Sequence, residues 1–433
     1  MRIFLLGLFL AAAVPALSQE RIAITGGKVV TNGGAPIEGG TVLMNDGVVV
    51  SVAPGVSVPA GYRQVDASGK WVTPGVIAGI SQFGSSEISG NDTTNDQAAR
   101  KSPGTAALML DVALNPDETS IPVARQEGVT AAIVGPSPGR TLFAGQGYVL
   151  SLAEGTTVPM KARAFQYLSY GERGAELAGG SRPAAWNEIT NALEEAKRVM
   201  NGLAFPARDQ HPDLRVTRED AEALTLALRG AQPLLVRVDR ASDIRQVLKL
   251  QTMYPGLRLV LVSANEGWRV ADEIARAGVP VITLGMVNRP ENFEYLSATM
   301  SNVGRMVAAG VKVALGTPDL DASFQPRNLT HYAGNLVAQG RLAGGVGLSW
   351  DQAFATITRN PAEIFGLPGQ GVLRPGARAD VVVWSGDPLE LATQAEQVFI
   401  LGVSQPLQSR QTELARRYLP GRDRTQLPES YSR

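Results

Sequence analysis

Lys70-Trp71-Val72-Thr73-Pro74-Gly75-Val76-Ile77-Ala78-Gly79-Ile80-Ser81-Gln82-Phe83 separates two rhythms in the chain. Before it, residues 21–73 read as short strands and tight turns. Ile22-Ala23-Ile24 runs into Gly26-Gly27, and Thr41 to Met44 leads through Asn45-Asp46-Gly47 to Val48 to Val52. Asp46-Gly47 between two apolar runs is a hairpin signal for a two-residue turn. From Pro74 onward, apolar strand-like runs alternate with amphipathic helices. Thr130 to Val134 follows a helical period over Ile121 to Gly128, and Pro233 to Val236 follows Arg218 to Gly230, with Thr217 as its N-cap. Leu259 to Val262, Val279 to Ile282 and Val311 to Leu315 each follow a similar helix. This alternation predicts βα units around a parallel sheet, and their even spacing favours a closed barrel over an open one. Beyond Pro361 the chain returns to strands, at Ala379 to Trp384 and Val398 to Val403, so one small sheet domain is expected from the two termini.

Charge and composition narrow the function classes. The 433 residues carry 40 Lys plus Arg against 40 Asp plus Glu, which offers no basic face for nucleic acid. Cysteine is absent, removing disulfides and thiolate chemistry, and there are only 2 histidines. Arg2, the apolar run Ile3 to Val14 and Ala16-Leu17-Ser18 read as a secretory signal peptide over residues 1–18, cleaved before Gln19. The expected location is periplasmic or secreted, with no membrane span once the signal is removed, because later apolar runs are broken by charge or glycine. Gly135-Pro136-Ser137-Pro138-Gly139 follows a strand, but its prolines remove N–H groups a phosphate would need, so it reads as a stiff surface turn.

Several segments carry a family resemblance. Lys70 to Phe83 is similar to the start of the barrel in metal-dependent amidohydrolases, where Asp-x-His-x-His ends the first strand. Pro36 to Val42 and Asp46 to Val52 resemble the amino-terminal sandwich of that superfamily. Ala113 to Pro116, Ile121 to Arg125 and Gly128 to Thr130 resemble its second barrel unit. Asn360 to Leu367 and Gly371 to Pro388 resemble its closing helix and last sandwich strands. The resemblance is strongest to the exported imidazolonepropionase-like branch and covers nearly all of the chain after the signal. It implies an α/β fold, a (β/α)8 TIM barrel over residues 74–368 with a composite β-sandwich from residues 19–73 and 369–410. Residues 411–433 are left as a helix and tail.

The resemblance also implies hydrolysis of carbon–nitrogen bonds in non-linear-peptide or cyclic amides, using zinc or another divalent metal. That metal is held by four histidines, an aspartate and often a lysine or glutamate, and it generates hydroxide near neutral pH. Here Ala78 stands in place of the aspartate, and Ile80 and Gln82 in place of the first two histidines. Arg237 stands where a later strand would offer a histidine, and Val262 to Glu266 supplies none. The closing Gly-Thr-Asp becomes Gly316-Thr317-Pro318-Asp319, which displaces Asp319 by one residue. His211 reads as a loop residue and His331 as a cap or surface residue near a helix start. Lys161 lies in the right third of the chain for a bridging lysine without a local match. The expected cofactor is therefore none.

The candidate catalytic residues are Asp319 as general base and Arg237 as oxyanion partner; Gln82, Asn265, Glu266 and Thr317 are candidate substrate-binding residues. No metal residues are expected, although Glu87, Asp319 and Asp321 leave open a hard cation held by oxygen. Three functions follow. The first is a metal-depleted, weakly active or non-catalytic homologue that binds a small amide or dipeptide-like ligand or an active amidohydrolase paralogue. The second is a working hydrolase with a rearranged Asp/Arg site, and the third is a structural assembly subunit.

Overall fold

The computed structural model describes residues 20–88, 91–102, 105–205, 216–318 and 325–418. The expected signal peptide, His211, Asp319, Asp321 and the end of the tail lie outside the described residues. Among the described residues sixteen strands follow one another. They are β1 (Ile22–Val29), β2 (Ile37–Asn45), β3 (Val48–Pro54), β4 (Arg63–Asp66), β5 (Trp71–Pro74), β6 (Val76–Ser81), β7 (Val129–Val134) and β8 (Phe143–Ser151). Then come β9 (Lys161–Ser169), β10 (Leu234–Val238), β11 (Leu259–Ser263), β12 (Val281–Thr283), β13 (Val313–Leu315), β14 (Val381–Trp384), β15 (Ala395–Ile400) and β16 (Val403–Ser404).

The terminal sheet runs β16-β15-β14-β5-β1-β2-β3, so strands from the two ends of the chain share one ladder. Strand β1 pairs with β4 through Ile22 to Thr25 and with β5 through Lys28 and Val29. This split lets the sheet wrap a core of its own that includes Ile24, Val42, Met44, Val72, Val381 and Phe399. The Asp46-Gly47 turn is the expected hairpin between β2 and β3, with both residues at positive φ (49° and 76°).

Lys70 to Phe83 carries the chain from one sheet into the other. β5 lies in the terminal sheet and, after the single residue Gly75, β6 opens the barrel. The Gly75 N–H donates to the Asp380 carbonyl at 3.0 Å, and a side chain at Gly75 would collide with Thr130. Beside this junction, within the terminal sheet, the buried Trp384 Nε1 of β14 donates to Thr73 Oγ1 of β5 at 2.9 Å.

The barrel sheet has the order β6 to β13, each strand beside its neighbour in the chain. It closes where Thr317 N donates to the Ile80 carbonyl at 2.8 Å. Gly79 and Gly316 let the two backbones meet there, because a Cβ at Gly79 would overlap the Leu315 carbonyl and one at Gly316 the Ile80 amide. Seven strands are parallel and β8 is antiparallel to both neighbours. The connections at 135–142 and 152–160 are too short for a crossover helix, which leaves a hairpin on each side. Gly135 and Pro136, read from sequence as part of a surface turn, are buried where β7 folds over into β8.

Inside the barrel, Ile77, Ile80, Ala131, Ile133, Phe165, Tyr167, Leu235, Val260, Val262, Ile282 and Ala314 form a packed interior. The helix Arg359–Phe365 stoppers its lower end, where Phe365 meets Phe165 edge-on at 5.6 Å. Burying one such phenyl ring contributes roughly 1.5–3 kcal/mol. Outside, helices such as Arg182–Met200, Arg218–Leu228 and Ala241–Met253 cover the sheet. Thr217 caps the second of these by accepting from Asp220 N at 3.1 Å. Among the described residues no helix is long and apolar enough to cross a membrane. The helix Arg410–Tyr418, expected from the sequence, buries no residue.

Candidate functional site

The carboxyl ends of the parallel strands converge on the upper mouth of the barrel, where barrel chemistry is usually placed. Side-chain alternation decides which residues face it. On β6 a register irregularity between Ala78 and Ser81 shifts that alternation, so Ile77 and Ile80 belong to the barrel interior and Ala78 to the outer core against the helices. Gln82, two residues beyond Ile80, continues the inner face and is 4% exposed; its Oε1 has no hydrogen-bond partner. On β9 the inner face reads Phe165, Tyr167, Ser169, and the fully buried Ser169 Oγ is likewise without a partner. Each buried orphan of this kind costs about 1–3 kcal/mol.

Ser169 stands in register with Arg237 of β10. The Arg237 guanidinium crosses the mouth and donates from Nη1 to the Pro318 carbonyl at 3.3 Å, just beyond the seam at Thr317. Thr317 is 2% exposed, and its amide and hydroxyl both donate to Ile80 O, so this candidate binding residue serves the barrel closure.

The other two candidate binding residues belong to a buried network at the ends of β10 and β11. Asn265 donates from its backbone N (3.2 Å) and from Nδ2 (2.8 Å) to Asp239 Oδ1. Glu266 accepts from Ala241 N (3.1 Å), Ser297 N (3.0 Å) and Arg269 Nη1 (3.2 Å), which ties a helix start and a distant loop together. Just before them, Ser263 and Ala264 adopt positive φ (75° and 46°), a costly backbone for residues with a Cβ.

Three buried groups that hold the rim carried no sequence signal, because at least one partner of each is remote in the chain. Glu118 accepts from Gly84 N (2.8 Å), Ser120 N (3.2 Å) and Ser120 Oγ (2.5 Å). Tyr148 donates to Phe83 O at 3.0 Å. The carbonyl and amide of the Phe83–Gly84 peptide unit are thus held from two sides. Burial raises the Glu118 carboxyl above its usual range, against the pull of its hydrogen bonds. Glu294, on the loop after β12, accepts from Arg182 Nη2 at 2.8 Å and from Glu172 N; burial raises its carboxyl also.

Over the described residues, the mouth offers a guanidinium, an aliphatic chain, amides and hydroxyls, and the carboxylates at its rim, Asp239 and Glu266, accept from Asn265 and from Ala241, Ser297 and Arg269. Zinc takes neutral imidazole, thiolate or carboxylate in a near-tetrahedral set, and a fixed guanidinium beside it is unfavourable, so this donor set does not fit the metal. No three His, Cys, Asp or Glu among the described residues are grouped to hold one. His331 sits half-buried on the helix Leu329–Gln339, outside the barrel wall. Lys161 begins β9 at the lower end and donates to Phe365 O at 2.9 Å, so it does not reach the mouth. Glu87 is exposed and accepts from the Asn115 side chain.

A family model described as the amidohydrolase family matches residues 162–403. The chain belongs to the amidohydrolase family. An amidohydrolase of Hapsidospora irregularis is 24% identical over 84% of this chain, which spans 40% of that relative's length. An imidazolonepropionase of Maricaulis maris is 25% identical over 80% of this chain and 87% of its own. Among solved structures, an amidohydrolase from Thermotoga maritima matches 88% of this chain and 99% of its own with a TM-score of 0.78, at 24% identity. A molinate hydrolase matches 90% of this chain and 95% of its own with a TM-score of 0.55 at 17% identity. Such structural likenesses establish the amidohydrolase barrel and its appended sheet.

Proposed function

We propose that this chain is an exported, metal-depleted amidohydrolase of the imidazolonepropionase-like branch, with little or no hydrolytic activity of its own. It binds a small amide-type ligand in the barrel mouth or works beside an active paralogue. The observation that supports this reading is the Arg237 guanidinium drawn across the mouth to Pro318, with Ile80 and Gln82 on the inner face of β6. A fixed cation there takes over the charge of a metal without generating hydroxide. A hydrolase built on Asp319 and Arg237 would need a general base alone to replace metal-bound hydroxide. The amino-terminal Arg2 and the apolar run after it support export, through the Sec-type pattern.

The test is an assay of the purified chain against N-acyl amino acids, dipeptides and cyclic amides, before and after incubation with zinc, manganese or iron(II). The expected result is a rate near background that no metal raises. A metal-stimulated rate within the ordinary enzymatic range would overturn the reading.

A further inference from the structure

We propose that the helix Arg410–Tyr418 docks this chain on an anionic phospholipid surface, with the barrel mouth turned away from it. The helix is nine residues long and buries none of them. A helix this short is marginal in water by itself, so one that packs on nothing gains its stability from a surface it lies on.

The side chains select that surface. Leu414 and Tyr418, four residues apart, share one face of the helix and are 39% and 65% exposed. Arg410, four residues before Leu414, and Arg417, three after it, border that face, and both are exposed. Apolar side chains flanked by arginines suit a bilayer interface, where the guanidinium groups meet lipid phosphates and the apolar groups enter below them. Residues 410–433 hold six arginines against three acidic residues, in a chain that balances 40 against 40. A second copy laid on this helix would oppose like charges, and a nucleic acid has no use for Leu414 and Tyr418.

The approach to the helix fixes which end of the barrel meets the lipid. Gln126 Nε2 donates to Leu407 O at 3.0 Å, and Glu154 N donates to Gln405 Oε1 at 2.8 Å. Gln126 ends the helix that leads into β7, and Glu154 lies on the turn that follows the antiparallel β8. Both belong to the lower end, opposite the mouth. The same turn carries Val158, 69% exposed, which puts a further apolar side chain on that end.

The test is co-sedimentation of the chain from Gln19 onward, since the apolar run Ile3 to Val14 would bind lipid by itself. The probes are vesicles of phosphatidylcholine alone and of an equal mixture with phosphatidylglycerol. Binding to the mixed vesicles is expected, weaker by about tenfold or more on phosphatidylcholine and falling steeply with added salt. Arg410→Gln with Arg417→Gln should weaken it by about thirtyfold, and Leu414→Gln by about tenfold at unchanged charge. Lysine at both arginine positions should retain it, because the interaction is with charge. None of these variants should move the thermal midpoint, as the helix buries no residue. Equal binding to the two vesicles, no binding to either, or binding that the Arg410→Gln, Arg417→Gln pair leaves unchanged would overturn the proposal. So would a lowered midpoint, which would place the helix against the body, or a dimer that Leu414→Gln dissolves.

Discussion

Arg237 and Pro318 join opposite walls of the barrel: the guanidinium rises from β10 and donates at 3.3 Å to a carbonyl just past the β13–β6 seam. A charge-assisted bond of this type contributes about 1.5–3 kcal/mol. Arg237→Met should lower the unfolding free energy by about 1–2 kcal/mol in a denaturant titration, part of the loss being offset by the apolar side chain. Arg237→Lys should recover little, since an ammonium cannot reproduce the planar fork. Full stability in Arg237→Met would show that the bridge is incidental.

The seam itself depends on glycine. Gly79→Ala places a methyl on the Leu315 carbonyl, where both neighbours are backbone and neither can swing away. Destabilisation of about 3 kcal/mol or loss of soluble protein is expected. Gly33→Ala, on an open turn with nothing near its Cβ position, serves as the control and should be near neutral. Equal behaviour of the two variants would contradict the closure described for β6 and β13.

Glu118 gives a pH signature. Its folded carboxyl is raised above the reference value of 4.5, chiefly by burial. The folded protein therefore holds this proton more tightly than the unfolded chain does. The group's contribution to stability is fully present below 4.5 and declines as pH rises through the folded value. The stability of the parent relative to Glu118→Gln should fall with rising pH across that window, as read by denaturant titrations. A difference that grows with pH would mean that the hydrogen bonds from Gly84 and Ser120 outweigh burial.

Much of the architecture was legible because it rests on local periodicity. The runs at Thr130 to Val134, Leu259 to Val262 and Val311 to Leu315 became β7, β11 and β13, and Thr217 capped the helix it was expected to cap. β8 was not legible. Its Gly145 and Gly147 break the apolar pattern, and the second is needed because Phe165 fills the space a side chain would take. The site was legible only in part. Arg237 and Gln82 stand out in the sequence as polar residues at strand ends, and both lie at the mouth, but Ser169 is one more small residue in an apolar strand. Glu266 and Thr317 carry polar groups at strand ends, yet their bonds go to Ala241, Ser297 and Ile80, partners that no local reading supplies.

The pairing of β14 with β5, beside the junction of the two sheets, offers a further check. Trp384 Nε1 has Thr73 Oγ1 as its acceptor in a fully buried setting. Thr73→Val preserves shape and strands that N–H, so a loss of about 1–3 kcal/mol is expected from thermal or chemical unfolding. A neutral effect would show that this bond does not help hold the two ends of the chain together in the terminal sheet.

The most direct measurement is the metal content of the chain purified from cells supplied with zinc, manganese and iron, determined by inductively coupled plasma mass spectrometry after gel filtration. A mouth occupied by Arg237 and lined by Ile80 and Gln82 predicts transition metal far below one ion per chain. One zinc or other transition-metal ion per chain, retained through gel filtration and lost only with a chelator, would contradict the account.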